Sequence, residues 1–410
     1  MTDFDHLPHE EQLKALLELA RAATENYALP DHLTVVMINL SENATYKVEA
    51  PNGQRWALRV HRDGYHSKAA IASELSWLMD LRNSKVVVTP RPVKGCDGEL
   101  IQLVSHPAMH RPRHVVLSEW ETGSEPGIGE DLSKPFEVLG EVTARMHIHA
   151  RQWKRPEWFQ RHAWNFETSL GEARPHWGRW RDGMGVDAAK AKLFGRTVDL
   201  IGKRLKAYGQ DNERFGLIHC DLRLANLLID DGQVKVIDFD DCGFGWYMYD
   251  AATPVSFYEH EPQVPDLIAA WVEGYRTVAP LAAEDEAEIP TFVMLRRLLL
   301  VRQPGLVHLQ VRQTERGDAF AHVLLRFLEQ VIRIKDEHVH VRLERRHHVQ
   351  NRGAARSAEA RAHGKSVAKR LDRPAHDLAR VGMFEARGEL RDLRFGEHGR
   401  GGGHRVRSRK

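Results

Sequence analysis

Two neighbouring segments of this chain place three polar side chains around one predicted β-hairpin. Residues 217–229 contain Asp221 and Asn226, and residues 234–241 contain Asp238. Apolar residues after Asn226 and before Asp238 predict two strands, and the Asp-Asp-Gly between them predicts a turn. A hairpin of this kind brings the three distant side chains to one site.

Two carboxylates and an amide in this arrangement are the groups that phosphoryl transfer needs. One carboxylate orients and deprotonates an attacking hydroxyl, while the amide oxygen and the other carboxylate hold Mg²⁺ on nucleotide phosphates. The order of His219, Asp221 and Asn226 is that of a kinase catalytic loop. We therefore predict these three residues as catalytic and Asn226 and Asp238 as metal ligands. A surface hairpin with solvated aspartates is the alternative, and the apolar context disfavours it.

Cysteine usage and apolar run length restrict the class of protein. Cys96, Cys220 and Cys242 are too scattered for a disulfide framework and lack zinc-ligand spacing, which favours a cytoplasmic protein. No run approaches the roughly 20 apolar residues of a membrane span, and no secretion signal is visible at the N-terminus. We expect no membrane partner, and the sequence leaves the oligomeric state open.

The last part of the chain differs in composition from the rest. Residues 336–410 hold 19 Lys and Arg against 10 Asp and Glu, a net of +9 in a chain whose total is +2. Few large apolar residues predict a disordered basic tail, and the lack of interleaved aromatics disfavours nucleic-acid binding. Translation in a shifted reading frame would give a similar composition. The Gly-Lys-Ser at 364–366 lacks the first glycine of a phosphate-binding loop.

The N-terminal third predicts a helix followed by a β-rich unit. Helical spacing covers 10–26, and strands are predicted at 34–40, 45–49, 55–61, 86–88 and 114–120. Ser41 and Asn43 lie between the first two strands, where a loop over nucleotide phosphates would lie. An ordinary hairpin turn remains the alternative for this glycine-free loop.

A cation on an apolar strand, Arg59, is a second residue that we expect to contact the nucleotide. Arg59 interrupts the strand at 55–61, and Glu74 lies in a helix predicted at 67–81. We expect the two to pair, with Arg59 on the α- and β-phosphates. The alternative is an edge-strand arginine that covers apolar surface. After the strand at 114–120, Glu119, Trp120 and Glu121 begin a polar segment that suits a hinge holding adenine.

With these residues in place, the chain resembles the aminoglycoside phosphotransferase / choline kinase superfamily, most closely its bacterial homoserine-kinase-like and stress-response-kinase-like branch. The resemblance implies an α+β, bilobal protein-kinase-like fold with a small antiparallel β-rich N-lobe and a larger helical C-lobe. We expect a helical segment at 1–30, a nucleotide-binding N-lobe at 31–120, a catalytic and substrate-binding C-lobe at 121–335 and the basic tail at 336–410.

The resemblance also implies ATP and Mg²⁺ as cofactors and transfer of the γ-phosphate to a hydroxyl of a small molecule. Protein serine or threonine is the alternative acceptor, and a nucleotide-binding pseudokinase or scaffold is a third possibility. In this comparison Asp221 is the base, Asn226 and Asp238 hold the metal, and His219 braces the loop. The chain departs from the family at Cys220, where Gly is usual, and at Arg59, where many members have Lys.

Overall fold

The computed structural model describes residues 4–302 of the 410, apart from Glu42, residues 128–130 and His260. The expected tail at 336–410 therefore lies outside the described residues. The first half contains two helices and six strands: α1 (His9–Thr24), β1 (Thr34–Leu40), β2 (Ala44–Glu49), β3 (Arg55–Val60), α2 (Lys68–Asn83), β4 (Pro92–Val93), β5 (Gln102–Val104) and β6 (Arg113–Glu119).

The six strands form one antiparallel sheet in the order β1-β2-β3-β6-β4, with β5 also paired to β6. Directly opposed residues point to the same face of a sheet. One row of this kind joins Thr45, Arg59 and Val116 across three strands. The opposite face is apolar, and it packs on the buried face of α1, which includes Leu19 and Ala23. The sheet therefore offers its Arg59 face to the rest of the molecule.

Helix α2 forms where a helix is predicted at 67–81, and Ser67 is its N-cap residue. The Ser67 side chain accepts a hydrogen bond from the Ala70 N–H at 3.1 Å, which satisfies one of the free donors at the helix start. The prediction of a strand at 86–88 is wrong. Only Val88 makes a bridge, to Lys235, because the chain turns toward Pro92, where the short β4 forms instead.

The second half is mainly helical. Its elements are α3 (Ser133–Gln152), α4 (Phe166–Ser169), α5 (Ala188–Tyr208), β7 (Phe215–Ile218), β8 (Leu227–Asp230), β9 (Gln233–Val236), β10 (Gly243–Trp246), α6 (Tyr249–Ala252), α7 (Val264–Val278) and α8 (Ala283–Leu299). The strands form two small antiparallel pairs, β7 with β10 and β8 with β9. The expected α+β fold, with a β-rich N-terminal lobe and a helical C-terminal lobe, is confirmed.

A large apolar core joins the helices of the second half to α2. Its fully buried members include Trp77 from α2, Phe136 from α3 and Trp271 from α7. Among the described residues, no helix has both the length and the apolar character needed to cross a bilayer. The three cysteines are free thiols, and Cys220 and Cys242 are buried.

Candidate active site

The loop that follows β7 is held by one buried carboxylate. Asp250, which has no exposed surface, accepts hydrogen bonds from the backbone N–H of His219 at 3.0 Å and of Cys220 at 2.8 Å. His147 of α3 also contacts this carboxylate, at 3.3 Å. Cys220 has a φ of +70°, the left-handed region that glycine adopts most readily. Asp250 therefore stabilises a turn that directs the next residue, Asp221, into a cleft.

His219 braces this turn from inside. Its Nδ1 accepts a hydrogen bond from the Asp221 N–H at 3.2 Å, so its proton lies on Nε2, which donates to the Ile237 carbonyl at 3.2 Å. Burial lowers the pKa of His219, which favours this neutral form. These contacts link the two arms of the hairpin, and they give His219 a bracing position between Asp221 and the strand before Asp238.

The Asp221 carboxylate receives hydrogen bonds from three side chains. Arg296 of α8 donates to Oδ1, the Nε of Arg223 lies 3.0 Å from Oδ1 and 3.1 Å from Oδ2, and the Asn226 amide donates to Oδ2 at 2.8 Å. Burial would raise the pKa of Asp221, but Arg223 and Arg296 outweigh it, so the pKa is lowered. This carboxylate is therefore anionic at neutral pH and fixed in orientation.

Asn226 and Asp238 lie on either side of the β8–β9 hairpin, as the sequence predicts. The Asn226 Nδ2 donates to the Asp221 backbone carbonyl at 2.8 Å as well as to its carboxylate, so Oδ1 is the amide atom that remains for a cation. Asp238 is half-buried, and burial raises its pKa. Oxygen donors of this kind suit Mg²⁺, which also takes ligands from substrate phosphates.

Such an ion would depend on phosphates for the rest of its ligands. Among the described residues, no group of three or more His, Cys, Asp or Glu side chains is arranged to hold a metal by itself. Asn226 and Asp238 fit an ion that arrives with a nucleotide.

Arg59 connects the sheet to this metal side of the cleft. Its guanidinium lies 2.9 Å from Glu74 of α2, 2.8 Å from Asp238 and 3.8 Å from Asp240. The expected Arg59–Glu74 pair is therefore formed. The edge-strand alternative is wrong, since β3 has a paired neighbour on both sides. Asp240 is buried, and Arg59 and His61 outweigh that burial and lower its pKa to about 2.

The turn between β1 and β2 covers the cleft from above. Asn43 is buried, and its Oδ1 accepts the Arg62 N–H at 3.0 Å, which fastens the turn to the chain after β3. Ser41 is exposed, and its hydroxyl accepts from the Asn39 amide at 3.4 Å. Asn39, Ser41 and Asn43 all line the cleft.

The predicted hinge lies at the end of β6, and much of it is already bonded within the fold. The Glu119 N–H donates to the backbone carbonyl of Arg91, and the Trp120 N–H donates to the backbone carbonyl of Arg55. The Glu121 side chain contacts Arg82 at 2.6 Å and Lys235 at 3.5 Å. A base at this hinge would use backbone groups other than the N–H of Glu119 and Trp120.

The cleft between the sheet and the hairpin is lined by five of the predicted site residues: Ser41, Asn43, Arg59, Asp221 and Asp238. Its lining is strongly polar and consists of Asn39, Ser41, Asn43, Thr45, Arg59, Trp177, Asp221, Arg223, Asp238, Asp240, Asp241 and Arg296. Glu74 reaches it through Arg59 and Asn226 through Asp221. The other predicted site residues, His219, Glu119, Trp120 and Glu121, are not part of this lining.

Sequence reasoning missed Arg223, Arg296 and Trp177. Arg223 lies two residues after Asp221, and that spacing was a usable signal. Arg296 and Trp177 are distant in sequence and reach the cleft only through the packing of the helical lobe.

Comparison with known proteins places these features among phosphotransferases. The family model APH, described as "Phosphotransferase enzyme family", matches residues 38–287. Amicoumacin kinase of Bacillus subtilis (strain 168) is 26% identical over 319 residues, which is 75% of this chain and 87% of that protein.

Two solved structures have the same fold. The microcompartment-associated aminopropanol kinase has a TM-score of 0.69 and 42% sequence identity, and the match covers 77% of this chain and 98% of that one. The amicoumacin kinase hAmiN, in complex with AMP-PNP, Ca²⁺ and Ami, has a TM-score of 0.62 and 21% identity, with 79% of this chain and 96% of that one covered.

Proposed function

This chain belongs to the phosphotransferase enzyme family, and on that premise we propose that it is a kinase that transfers the γ-phosphoryl group of ATP to a hydroxyl of a small molecule. One observation carries the proposal. Asp221 and Asp238 line one cleft with a cation, Arg59, which comes from a different lobe, and Asn226 is hydrogen-bonded to the Asp221 carboxylate. A surface hairpin would not bury two of these polar side chains.

Asp221 is the group that meets the acceptor. Its donors hold it as an anion, so it accepts the hydrogen bond of the attacking hydroxyl and takes its proton as the oxygen–phosphorus bond forms. The bond from the γ-phosphorus to the bridging oxygen breaks, and ADP leaves. Because Arg223 lies beside Asp221 in the lining, its cationic side chain faces the charge on the transferring group.

The opposite end of the cleft suits a nucleotide triphosphate. Asn226 Oδ1 and Asp238 would hold Mg²⁺, which neutralises phosphate charge when it is bound. Arg59 offers a planar guanidinium to the phosphates, and Glu74 keeps it in place. On the same sheet face, Val36 lies in a row with Lys47 and Ala57 and is 47% exposed. Val36 and Ala57 of this row offer the base apolar side chains.

Small amino alcohols are the first acceptors to test. The structure that is 42% identical is an aminopropanol kinase, and amicoumacin kinase is a second relative named for a small-molecule acceptor. The protein serine/threonine kinase alternative receives no support from these relatives. An ATP-consumption screen over amino alcohols, homoserine, choline, aminoglycosides and a generic protein substrate would identify the acceptor class.

The decisive variant is Asp221→Ala. We expect phosphoryl transfer to fall by roughly 10³-fold or more because the hydroxyl loses its orienting carboxylate. Nucleotide affinity should stay within about threefold of wild type, since Asp221 does not touch Arg59 or Glu74. Turnover assays with the best acceptor and calorimetric titration with ATP and Mg²⁺ measure the two quantities.

Two further variants make this test specific. Asp221→Ala leaves Arg223 and Arg296 without their carboxylate, so Asp221→Asn, which keeps the shape of the side chain, separates lost chemistry from lost stability. Asp182→Ala removes an exposed carboxylate that pairs with Arg179 and should leave turnover unchanged. Retained turnover in both Asp221 variants would contradict the proposal, and ATP binding with no transfer by the wild type would favour a pseudokinase.

A further inference from the structure

One segment of the helical lobe reaches across the cleft to α2. Residues 160–177, here called the strap, connect α3 to α5 and run beside the loop that follows Asp238. The Trp164 N–H donates to the Phe244 carbonyl at 2.7 Å, the Phe244 N–H donates to the His162 carbonyl at 2.8 Å, and the Trp164 indole N–H donates to the Asp241 carbonyl at 2.9 Å. The strap is therefore fixed to the loop that carries the predicted metal ligand.

Arg161 extends this attachment to the other lobe. Its half-buried guanidinium donates to three backbone carbonyls: those of Cys242 at 2.5 Å, Asp240, and Ala70 in the first turn of α2 at 3.1 Å. The neighbouring Gln160 N–H donates to the Ser73 hydroxyl of α2 at 2.8 Å. Arginine suits such a position because its planar fork carries five N–H donors and stays protonated. The strap thus bonds to α2 at two points one turn apart.

Both points lie directly beside Glu74. In an α-helix the N–H of residue i bonds to the carbonyl of residue i−4, so the Ala70 carbonyl receives the Glu74 N–H as well as Arg161. Ser73 precedes Glu74 in the chain. Glu74 in turn holds Arg59 at 2.9 Å, and Arg59 is the cation proposed for the phosphates. Displacement of the first turns of α2 would therefore move Arg59 away from Asp238.

We propose that Arg161 is a positioning residue, which holds α2 against the loop at 238–242 so that the Arg59–Glu74 pair is assembled before nucleotide arrives. The inference rests on the proposed function, which supplies the role of Arg59. It adds that the position of the phosphate-binding cation, Arg59, is fixed by Arg161, a residue of the opposite lobe. Arg161 is not among the residues that line the cleft, so it acts through α2 and the loop at 238–242.

A double-mutant cycle on the full-length protein tests the coupling. We expect Arg161→Gln and Glu74→Gln each to weaken binding of ATP with Mg²⁺ by about tenfold, and the double variant to be no weaker than the worse single one. Arg204→Gln, which breaks a comparable arginine contact to Glu288 between α5 and α8, should leave nucleotide affinity unchanged and add nothing to Glu74→Gln. The inference would be overturned if the double variant lost ATP affinity by the product of the two single losses. Wild-type ATP affinity in Arg161→Gln would also overturn it.

Hydrogen exchange without any ligand separates this inference from the proposed function. In Arg161→Gln, amides of α2 should exchange about tenfold faster than in wild type, while those of α5 keep their rates. If Arg161→Gln does not fold, Arg161→Lys and Ser73→Ala each remove part of the tether and should show the same selective change. Unchanged exchange in α2 would refute the tether. Absence of nucleotide binding in the wild type would instead refute the kinase proposal.

Discussion

At the level of single residues, Cys220 shows how the catalytic loop tolerates a departure from its family. The resemblance implies Gly at this position, and the observed φ of +70° gives the physical reason, since a side chain there is strained by roughly 1 kcal/mol. The Asp250 carboxylate accepts two hydrogen bonds from the loop backbone, and these hold the turn in place. The buried thiol packs in the core and offsets part of the strain.

This strain predicts the order of two substitutions. Cys220→Ala removes the thiol and keeps the strained Cβ, whereas Cys220→Gly removes both. We expect Cys220→Gly to be more stable than Cys220→Ala by about 1 kcal/mol, as measured by urea unfolding. If Cys220→Ala has a free energy of unfolding equal to or higher than that of Cys220→Gly, the backbone at this position is not strained.

His61 gives a prediction about acid. Burial is the main cause that lowers its pKa, to about 3, and nearby Arg59 and His66 act in the same direction against Asp240. The unfolded chain takes up a proton below about pH 6.5, while the folded protein does not, so stability is lost as pH falls from 6.5 toward 3. His61 alone should cost about 2 kcal/mol at pH 5.

Unfolding free energies at pH 7.5 and pH 5.0 check this prediction. His61→Gln should lose less stability between the two values than the wild type does. His9→Gln, which changes an exposed histidine at the start of α1, is the control and should behave as wild type. Equal losses in wild type and His61→Gln would show that this histidine does not set the acid response.

At the level of helices and strands, α3 and α7 approach so closely that only glycine fits at two contact points. A Cβ on Gly140 would lie 2.0 Å from the Trp271 carbonyl, and one on Gly274 would lie 1.8 Å from the Glu137 carbonyl. This approach brings His147 of α3 to Tyr275 of α7, at 3.2 Å. The helix pair therefore supports the histidine that contacts Asp250.

Gly140→Ala should consequently destabilise the protein by roughly 2 kcal/mol or more, because the backbone of α7 must move away. Gly195→Ala on α5 is the matched control, since its nearest neighbour would be 3.8 Å away. It should be neutral or gain up to about 1 kcal/mol from helix propensity. Urea unfolding of both variants decides, and equal stabilities would contradict the packing argument.

The sequence predicted those elements whose signal is local. The β8–β9 hairpin follows from alternation and a turn, and the position of α2 follows from the helix predicted at 67–81. Asp221, Asn226 and Asp238 could be proposed together because one hairpin carries them. Arg296 lies 75 residues beyond Asp221 and was not predicted, since no local pattern marks a buried helix arginine that pairs with a loop distant in sequence. The prediction of a strand at 86–88 is wrong because apolar β-branched residues favour an extended strand but do not specify a neighbouring strand to pair with.

At the level of the whole molecule, the cleft is assembled from two lobes, so a ligand that touches both should stabilise the folded chain. ATP with Mg²⁺ at 100 times its Kd should add about 2.7 kcal/mol, seen as a higher Tm. In Asp238→Asn, addition of Mg²⁺ to ATP should give no further rise, because one metal ligand is lost. Asp231→Asn, in the exposed turn between β8 and β9, should respond as wild type.

If Mg²⁺ raises the Tm of Asp238→Asn as much as it raises that of the wild type, Asp238 is not a metal ligand. Thermal scans with ATP alone and with ATP plus Mg²⁺, on the three proteins, give the comparison directly.

The three donors around Asp221 have a consequence for activity in mild acid. A base held as an anion so firmly stays ready well below the pH at which the buried histidines begin to weaken the fold. The falling limb of a rate profile should then come from groups other than Asp221: from Asp238, whose pKa is raised by burial, and from loss of the folded state.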